Sequence, residues 1–245
     1  MDEVLGPFAG RGETAWRSQK GVRARKIFLD VENALTVLYQ PVGMLMKLAK
    51  KKTPTKERLL DAAQELMLAK GFSATTVDEI CGAAKLTKGS FFHYFESKDE
   101  LGKVLLERFC AQSSQRHQRF SGSEADPLKR VYRYLDGVAE TASDPALSRG
   151  CLLGTFAQEL SDVSPRIRMS CAKGFENWAG QFAKDLSLAK ARHAPKASFR
   201  PHELAEHLIA ILEGSLILGK AKKDKRVLKQ NLRHYKNYLK SLLKR

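Results

Sequence analysis

Lys88, Gly89, Ser90, His93 and Tyr94 fall within one short stretch, LTKGSFFHYFESK, which runs from Leu86 to Lys98. An ammonium, an imidazole, two hydroxyls and a glycine that admits close backbone approach suit recognition of a polyanion better than bond making. At helical spacing Phe91, Phe92 and Phe95 cluster within roughly 100° of each other, and Gly89, Ser90, His93 and Tyr94 take the other side. The spacing therefore predicts a short helix anchored by its phenylalanines, with Lys88 at the start of a free polar face. Chemistry of other kinds has no comparable foothold. There is no P-loop, G-x-S-x-G, H-E-x-x-H or dinucleotide fingerprint, so no enzyme is expected. Cys81, Cys110, Cys151 and Cys171 are scattered without C-x-x-C or zinc spacing. His202 and His207 do not share a helix face well. No metal and no cofactor are expected.

The whole chain narrows the partner. Its 245 residues carry a formal charge of +16, which favours nucleic acid or an anionic surface, and 43% hydrophobic residues, enough for a core. The charge is uneven. Lys220 to Arg245 hold eleven Lys/Arg against one Asp, whereas residues 52–103 hold eight basic and eight acidic residues. Net charge thus does not locate the nucleic-acid site. No run reaches the roughly 18 apolar residues of a membrane span, and the opening MDEV is acidic, so a cytoplasmic protein with no membrane partner is expected.

The elements that must hold the polar face are helices. Thr53-Pro54, Asp126-Pro127, Asp144-Pro145 and Ser164-Pro165 each place a capping side chain before a proline. Thr76 to Glu79 and Ser97 to Glu100 read as capping boxes. Between these signals the apolar period is helical, which predicts an all-α chain with helices over 54–70, 77–84, 88–95, 98–120, 126–142, 147–161, 165–192, 201–221 and 225–243. The second and third of these, linked by Lys85-Leu86-Thr87, predict a helix-turn-helix whose second helix enters the major groove. The expected division is a flexible extension over 1–51, a three-helix DNA-binding domain over 52–101, and a helical-bundle domain for effector sensing and dimerisation over 102–245. Residues 1–43 are expected to be dispensable, with Met44 or Met46 as the native start.

The order TKERLLDAAQELMLAKGFSATTVDEICGAAKLTKGSFFHYFESKDEL, Thr55 to Leu101, resembles the DNA-binding domain of the TetR family of transcriptional regulators. The resemblance implies base contacts from Lys88 and Gly89, with base or phosphate contacts from Ser90. It implies phosphate contacts from His93, Tyr94 and Lys98, with Thr76 and Thr87 as caps near the DNA backbone. Phe92 stands where the family usually has tyrosine, so one phosphate-directed hydroxyl is missing. Lys85 stands where glycine usually supplies a left-handed turn, at a cost of about 1 kcal/mol.

For the second half the resemblance implies an effector site and a homodimer, with the last two helices of each protomer forming a four-helix interface on a palindromic operator. Phe156, Phe175, Trp178 and Phe182 are candidates for a ligand pocket; the alternative is that they are plain core. Arg149 to Ser170 resembles a TetR subgroup that includes the repressor of N-ethylmaleimide reductase. In that subgroup a cysteine senses electrophiles or oxidants. Cys151 matches it, with Arg149 nearby to favour the thiolate and Lys220 as candidate partner. A buried structural thiol is the alternative. The implied function is a repressor released by a small ligand or by modification of that cysteine. The competing reading is a basic helical protein that coats DNA or anionic membranes non-specifically. On the first reading the basic residues of the last helix are a solvated outer face.

Overall fold

The computed structural model describes residues 54–141 and 150–243. Among them every regular element is helical: α1 (Thr55–Lys70), α2 (Val77–Ala84), α3 (Lys88–Tyr94), α4 (Lys98–Ser121), α5 (Pro127–Thr141), α6 (Leu152–Leu160), α7 (Pro165–His193), α8 (Pro201–Lys222) and α9 (Arg226–Leu243). The ends fall within one residue of those expected, except at α6. That helix starts at Leu152 instead of 147, because Gly150 sits at φ +133° and Cys151 is extended. The expected cap at Asp144 lies outside the described residues. So do the expected extension over 1–51, the expected native start and Arg149.

The caps explain most of the boundaries. Thr76 and Glu79 form the full reciprocal box at α2. Asp126 accepts the N–H groups of Leu128 and Lys129 at α5, and Ser164 accepts that of Ile167 at α7. Two signals are realised differently. Ser97 caps α4 through the Glu100 N–H, but the Glu100 carboxylate accepts from Glu96 N–H, one residue further back than a reciprocal box requires. Pro54 itself occupies the capping position of α1, without a side-chain bond.

The phenylalanines of α3 do not all turn inward. Phe91 and Phe95 are fully buried, whereas Phe92 is 57% exposed. The wheel fails because α3 ends at Tyr94 and Phe95 leaves it in extended conformation, so Phe91 and Phe95 reach the core without Phe92. Phe92 instead lies edge-on to Phe91, with ring centroids 5.3 Å apart, on the outer side.

Two cores follow, and the first joins helices from both sides of residue 101. It gathers Leu59, Ala63 and Met67 of α1, Ile80 of α2 and Phe91 of α3 with Leu105 of α4 and Leu152 and Phe156 of α6. The second is built by α5, α7, α8 and α9. In it Leu228, Leu232, Tyr235 and Leu239 of α9 are buried within the chain. The apolar stripe of α9 is therefore consumed inside the protomer, and it is not left over for a second copy. Its basic side chains Lys229, Arg233 and Lys240 lie exposed, as a solvated outer face requires.

Phe91→Ala should cost about 3–5 kcal/mol, the usual penalty for emptying a buried phenylalanine site. Phe92→Ala should stay within about 0.5 kcal/mol. Denaturant melts of the two variants check the assignment of inner and outer faces.

Candidate nucleic-acid interface

α2 and α3 owe their relative placement to a left-handed residue. Lys85 adopts φ 53° and ψ 49°, and its N–H and that of Leu86 close α2 onto Gly82 and Cys81 carbonyls. The Arg58 guanidinium of α1 donates to the carbonyls of Ala84 and Lys85, so the turn is tied to the first helix. This offsets the cost of a lysine where a glycine would fit without strain.

α3 then presents its polar side outward. Thr87 accepts the Ser90 N–H, and the hydroxyls of Thr87 and Ser90 lie 3.0 Å apart. Lys88 is exposed and pairs with Asp78 of α2 at 2.9 Å. His93 and Tyr94 are exposed neighbours with ring centroids 4.7 Å apart. A Cβ built on Gly89 would meet nothing closer than the Thr87 hydroxyl at 3.7 Å, so glycine is not needed there for packing. Thr76, at the start of α2, is occupied by its capping box. Lys88, Gly89, Ser90, Phe92, His93 and Tyr94 thus share α3, whereas Thr76 and Lys98 serve the flanking helix starts.

Lys98 is engaged differently from expectation. Its ammonium donates to the carbonyls of Phe72 and Thr75 at 3.0 and 2.9 Å and lies 4.5 Å from the Phe72 ring centre. The charge is absorbed by the turn between α1 and α2. The N–H groups of the same turn go to Glu159 of α6, which accepts those of Phe72 and Ser73, both at 2.7 Å. Burial pushes the Glu159 carboxyl up, but the Ser73 and Phe72 donors outweigh it and leave it below its ordinary value. Gly71, at φ +92°, passes so close that a Cβ would lie 2.9 Å from the same carboxylate.

In the second half the four aromatic pocket candidates take different places. Phe156 is fully buried against Phe72 at 5.3 Å, and Phe182 is buried against Tyr134 at 5.1 Å. Both are core residues, because each lies where two or more helices converge. Phe175 is partly buried against both cores. Only Trp178 of the four borders a cavity described below.

Cys151 precedes α6 and is buried, and it shares a cleft of about 500 Å³ with Lys220. Yet the side chain pressing on the thiol is Glu213 of α8. Burial raises the thiol well above its ordinary value, and the Glu213 carboxylate pushes the same way against the N–H groups of Gly154 and Leu153. Among the described residues, burial and the Glu213 carboxylate both act against the thiolate; Arg149, expected to favour it, lies outside them. Gly154 gives Glu213 its space; a Cβ there would collide with the carboxylate.

Comparison with known proteins decides the family. The description "Bacterial regulatory proteins, tetR family" matches residues 59–103, and "Transcriptional regulator LmrA/YxaF-like, C-terminal domain" matches 127–234. The transcriptional regulator AcuR of Cereibacter sphaeroides is 30% identical over 165 residues, covering 67% of this chain and 75% of that protein. The chain belongs to the TetR family. The family's helix-turn-helix corresponds to α2 and α3, inside the matched segment. The HTH-type transcriptional repressor DhaR of Mycobacterium sp. (strain GP1) is 29% identical over 182 residues, covering 74% of this chain and 90% of that one. The reduced form of NemR from E. coli has a similar structure, with a TM-score of 0.66 and 29% identity over 76% of this chain and 97% of that one. The TetR-type architecture and regulator class were legible in the sequence, but Glu159, Glu213, Arg58 and Asp78 were not. Their partners are remote in sequence or lie on another helix, and no local motif marks them.

Replacing Glu213 by Gln removes the negative neighbour, so the Cys151 thiol should titrate lower and react faster. Alkylation of the Cys151 peptide at neutral pH, followed by mass spectrometry, should accelerate several-fold in Glu213→Gln. An unchanged rate would mean that burial alone governs the thiol.

Proposed function

We propose that this TetR-family regulator is a homodimeric repressor that reads a near-palindromic operator with α3 and releases it when its C-terminal half is altered by an effector. The carrying observation is the split of α3: Phe91 is locked in the core while Lys88, His93 and Tyr94 stand exposed on the outer side. On this reading Lys88 and Gly89 approach base edges, Ser90 takes a base or a phosphate, and His93 and Tyr94 take phosphates. Phe92 lies beside them as an apolar contact without a phosphate-directed hydroxyl. Since the Lys98 ammonium is engaged, its backbone N–H at the start of α4 is the group left to meet a phosphate.

Repression is supported by the names of relatives such as DhaR and NemR. Dimerisation is supported by the apolar side chains that remain exposed on the last two helices, Ile217 and Leu218 of α8 and Tyr238 of α9. Two copies are also what a palindrome requires, with recognition helices about 34 Å apart. For release, the raised Cys151 thiol and its acidic neighbour weigh towards reversible occupancy of the domain over direct attack by an oxidant. Cys151→Ser should then leave release by a reversible effector largely intact. Electrophile or oxidant control through Cys151 and Lys220 predicts the opposite.

Binding experiments with operator fragments selected from genomic DNA test the reading. Lys88→Ala should relax base preference roughly tenfold or more. His93→Ala and Tyr94→Ala should weaken all sequences alike. Gly89→Ala has room in the free protein, so any loss of operator affinity would report groove crowding alone. Unchanged affinity in a Lys88→Ala/Tyr94→Ala double variant at physiological salt would refute the assignment and return the charge to non-specific coating.

A further inference from the structure

In the C-terminal half, a cleft of about 100 Å³ is lined by residues of α4, α5, α7, α8 and α9 and by Cys151 ahead of α6. Its walls are mostly apolar, with Phe109, Leu212 and Leu216 among them. Arg116 of α4 also lines it. This guanidinium donates to the Ser113 hydroxyl at 3.2 Å and lies 5.8 Å from the Phe109 ring centre. It meets no carboxylate and no backbone carbonyl among the described residues. A guanidinium has five N–H donors in a fork made for a planar anion, and among the described residues this half-buried side chain spends them on the Ser113 hydroxyl alone. Burial accordingly lowers the Arg116 pKa.

A second donor points into the same space. The Tyr134 hydroxyl, buried on α5, accepts the Trp178 indole N–H at 2.7 Å. Its own hydrogen has no acceptor among the described residues. Both Tyr134 and Trp178 line the cavity. The remaining polar candidate, Cys151, stays a neutral thiol in this dry setting and does not compete as an anion. The cavity therefore holds a cation and an O–H without acceptors, within apolar walls.

We propose that this cavity binds a small organic carboxylate, held by the Arg116 fork and the Tyr134 hydroxyl with its short carbon tail against Phe109 and Leu216. The inference rests on the reading of this half as an effector domain and names the chemical class of that effector. The small volume favours a short chain, of about two to four carbons. A carboxylate fits this pair better than a neutral molecule because charge-assisted bonds to a guanidinium are stronger and bidentate. Phosphate would match the charge but not the apolar walls.

The test is calorimetric titration of the intact protein with propionate and butyrate, and with propionamide and inorganic phosphate as controls. Saturable binding of the carboxylates is expected, with at least tenfold weaker binding of the amide and of phosphate. Arg116→Met, which replaces an unpaired charge by an apolar chain of similar length, should melt no lower than the native protein and lose binding at least tenfold. Arg116→Lys should bind carboxylates more weakly than Arg116 but better than Met. Tyr134→Phe should weaken binding severalfold. Equal binding of acid and amide, equal binding by native protein and Arg116→Met, or no carboxylate binding at all would overturn the proposal. Because DNA is absent from this assay, those results would leave the operator reading standing or falling on its own titration.

Discussion

The carboxylate of Glu159 is the constraint on which the reading head depends. It belongs to α6, yet it accepts the N–H groups of Phe72 and Ser73 in the turn that leads into α2. Without it these donors would have to find water or remain unpaired next to a buried phenylalanine. Lys98 grips the same turn through the carbonyls of Phe72 and Thr75. A turn held by its donors from one helix and by its acceptors from another has little freedom to drift. The capping box at Thr76 then starts α2 from a fixed point, and Lys85 turns it into α3.

This makes α6 part of both halves of the molecule. Leu152, Leu153, Phe156 and Leu160 are buried in the same core as the helices of the DNA-binding segment. At its first turn, Cys151 and Gly154 face Glu213 of α8, and Cys151 also borders the cavity that holds Arg116. One short helix thus runs from the cleft beside Cys151 to the turn ahead of α2. On the proposed function, a shift at its start would reach the other end through the hydrogen-bonded Glu159 carboxylate and the packed pair Phe72–Phe156. Since two recognition helices must match successive turns of DNA, a small tilt there suffices to spoil binding.

What the sequence disclosed and what it withheld divide by range. Caps at Thr76, Thr87, Asp126 and Ser164 act within three residues, so their signal is local and survives in the order of side chains. The TetR-type order from Thr55 to Leu101 was legible for the same reason. Phe92 was misplaced because a wheel assumes that helix continues, and α3 stops one residue before Phe95. Glu159 and Glu213 act across long stretches of chain, and a lone glutamate on a helix announces nothing about its partner. Cys151 shows the limit most sharply. Its position ahead of a helix suggested a favoured thiolate, but a carboxylate on a distant helix and complete burial turn the shift the other way.

Amide hydrogen exchange at Phe72 and Ser73, followed together with operator affinity in Glu159→Gln, tests whether α6 holds the reading head in place. Gln keeps the shape but loses the charge that makes both bonds strong. Both amides should exchange faster, and operator affinity should fall by about tenfold or more, while the buried amides of α7 and α8 keep their protection. Unchanged exchange at Phe72 and Ser73 with unchanged operator affinity would contradict the account and make the DNA-binding helices independent of α6.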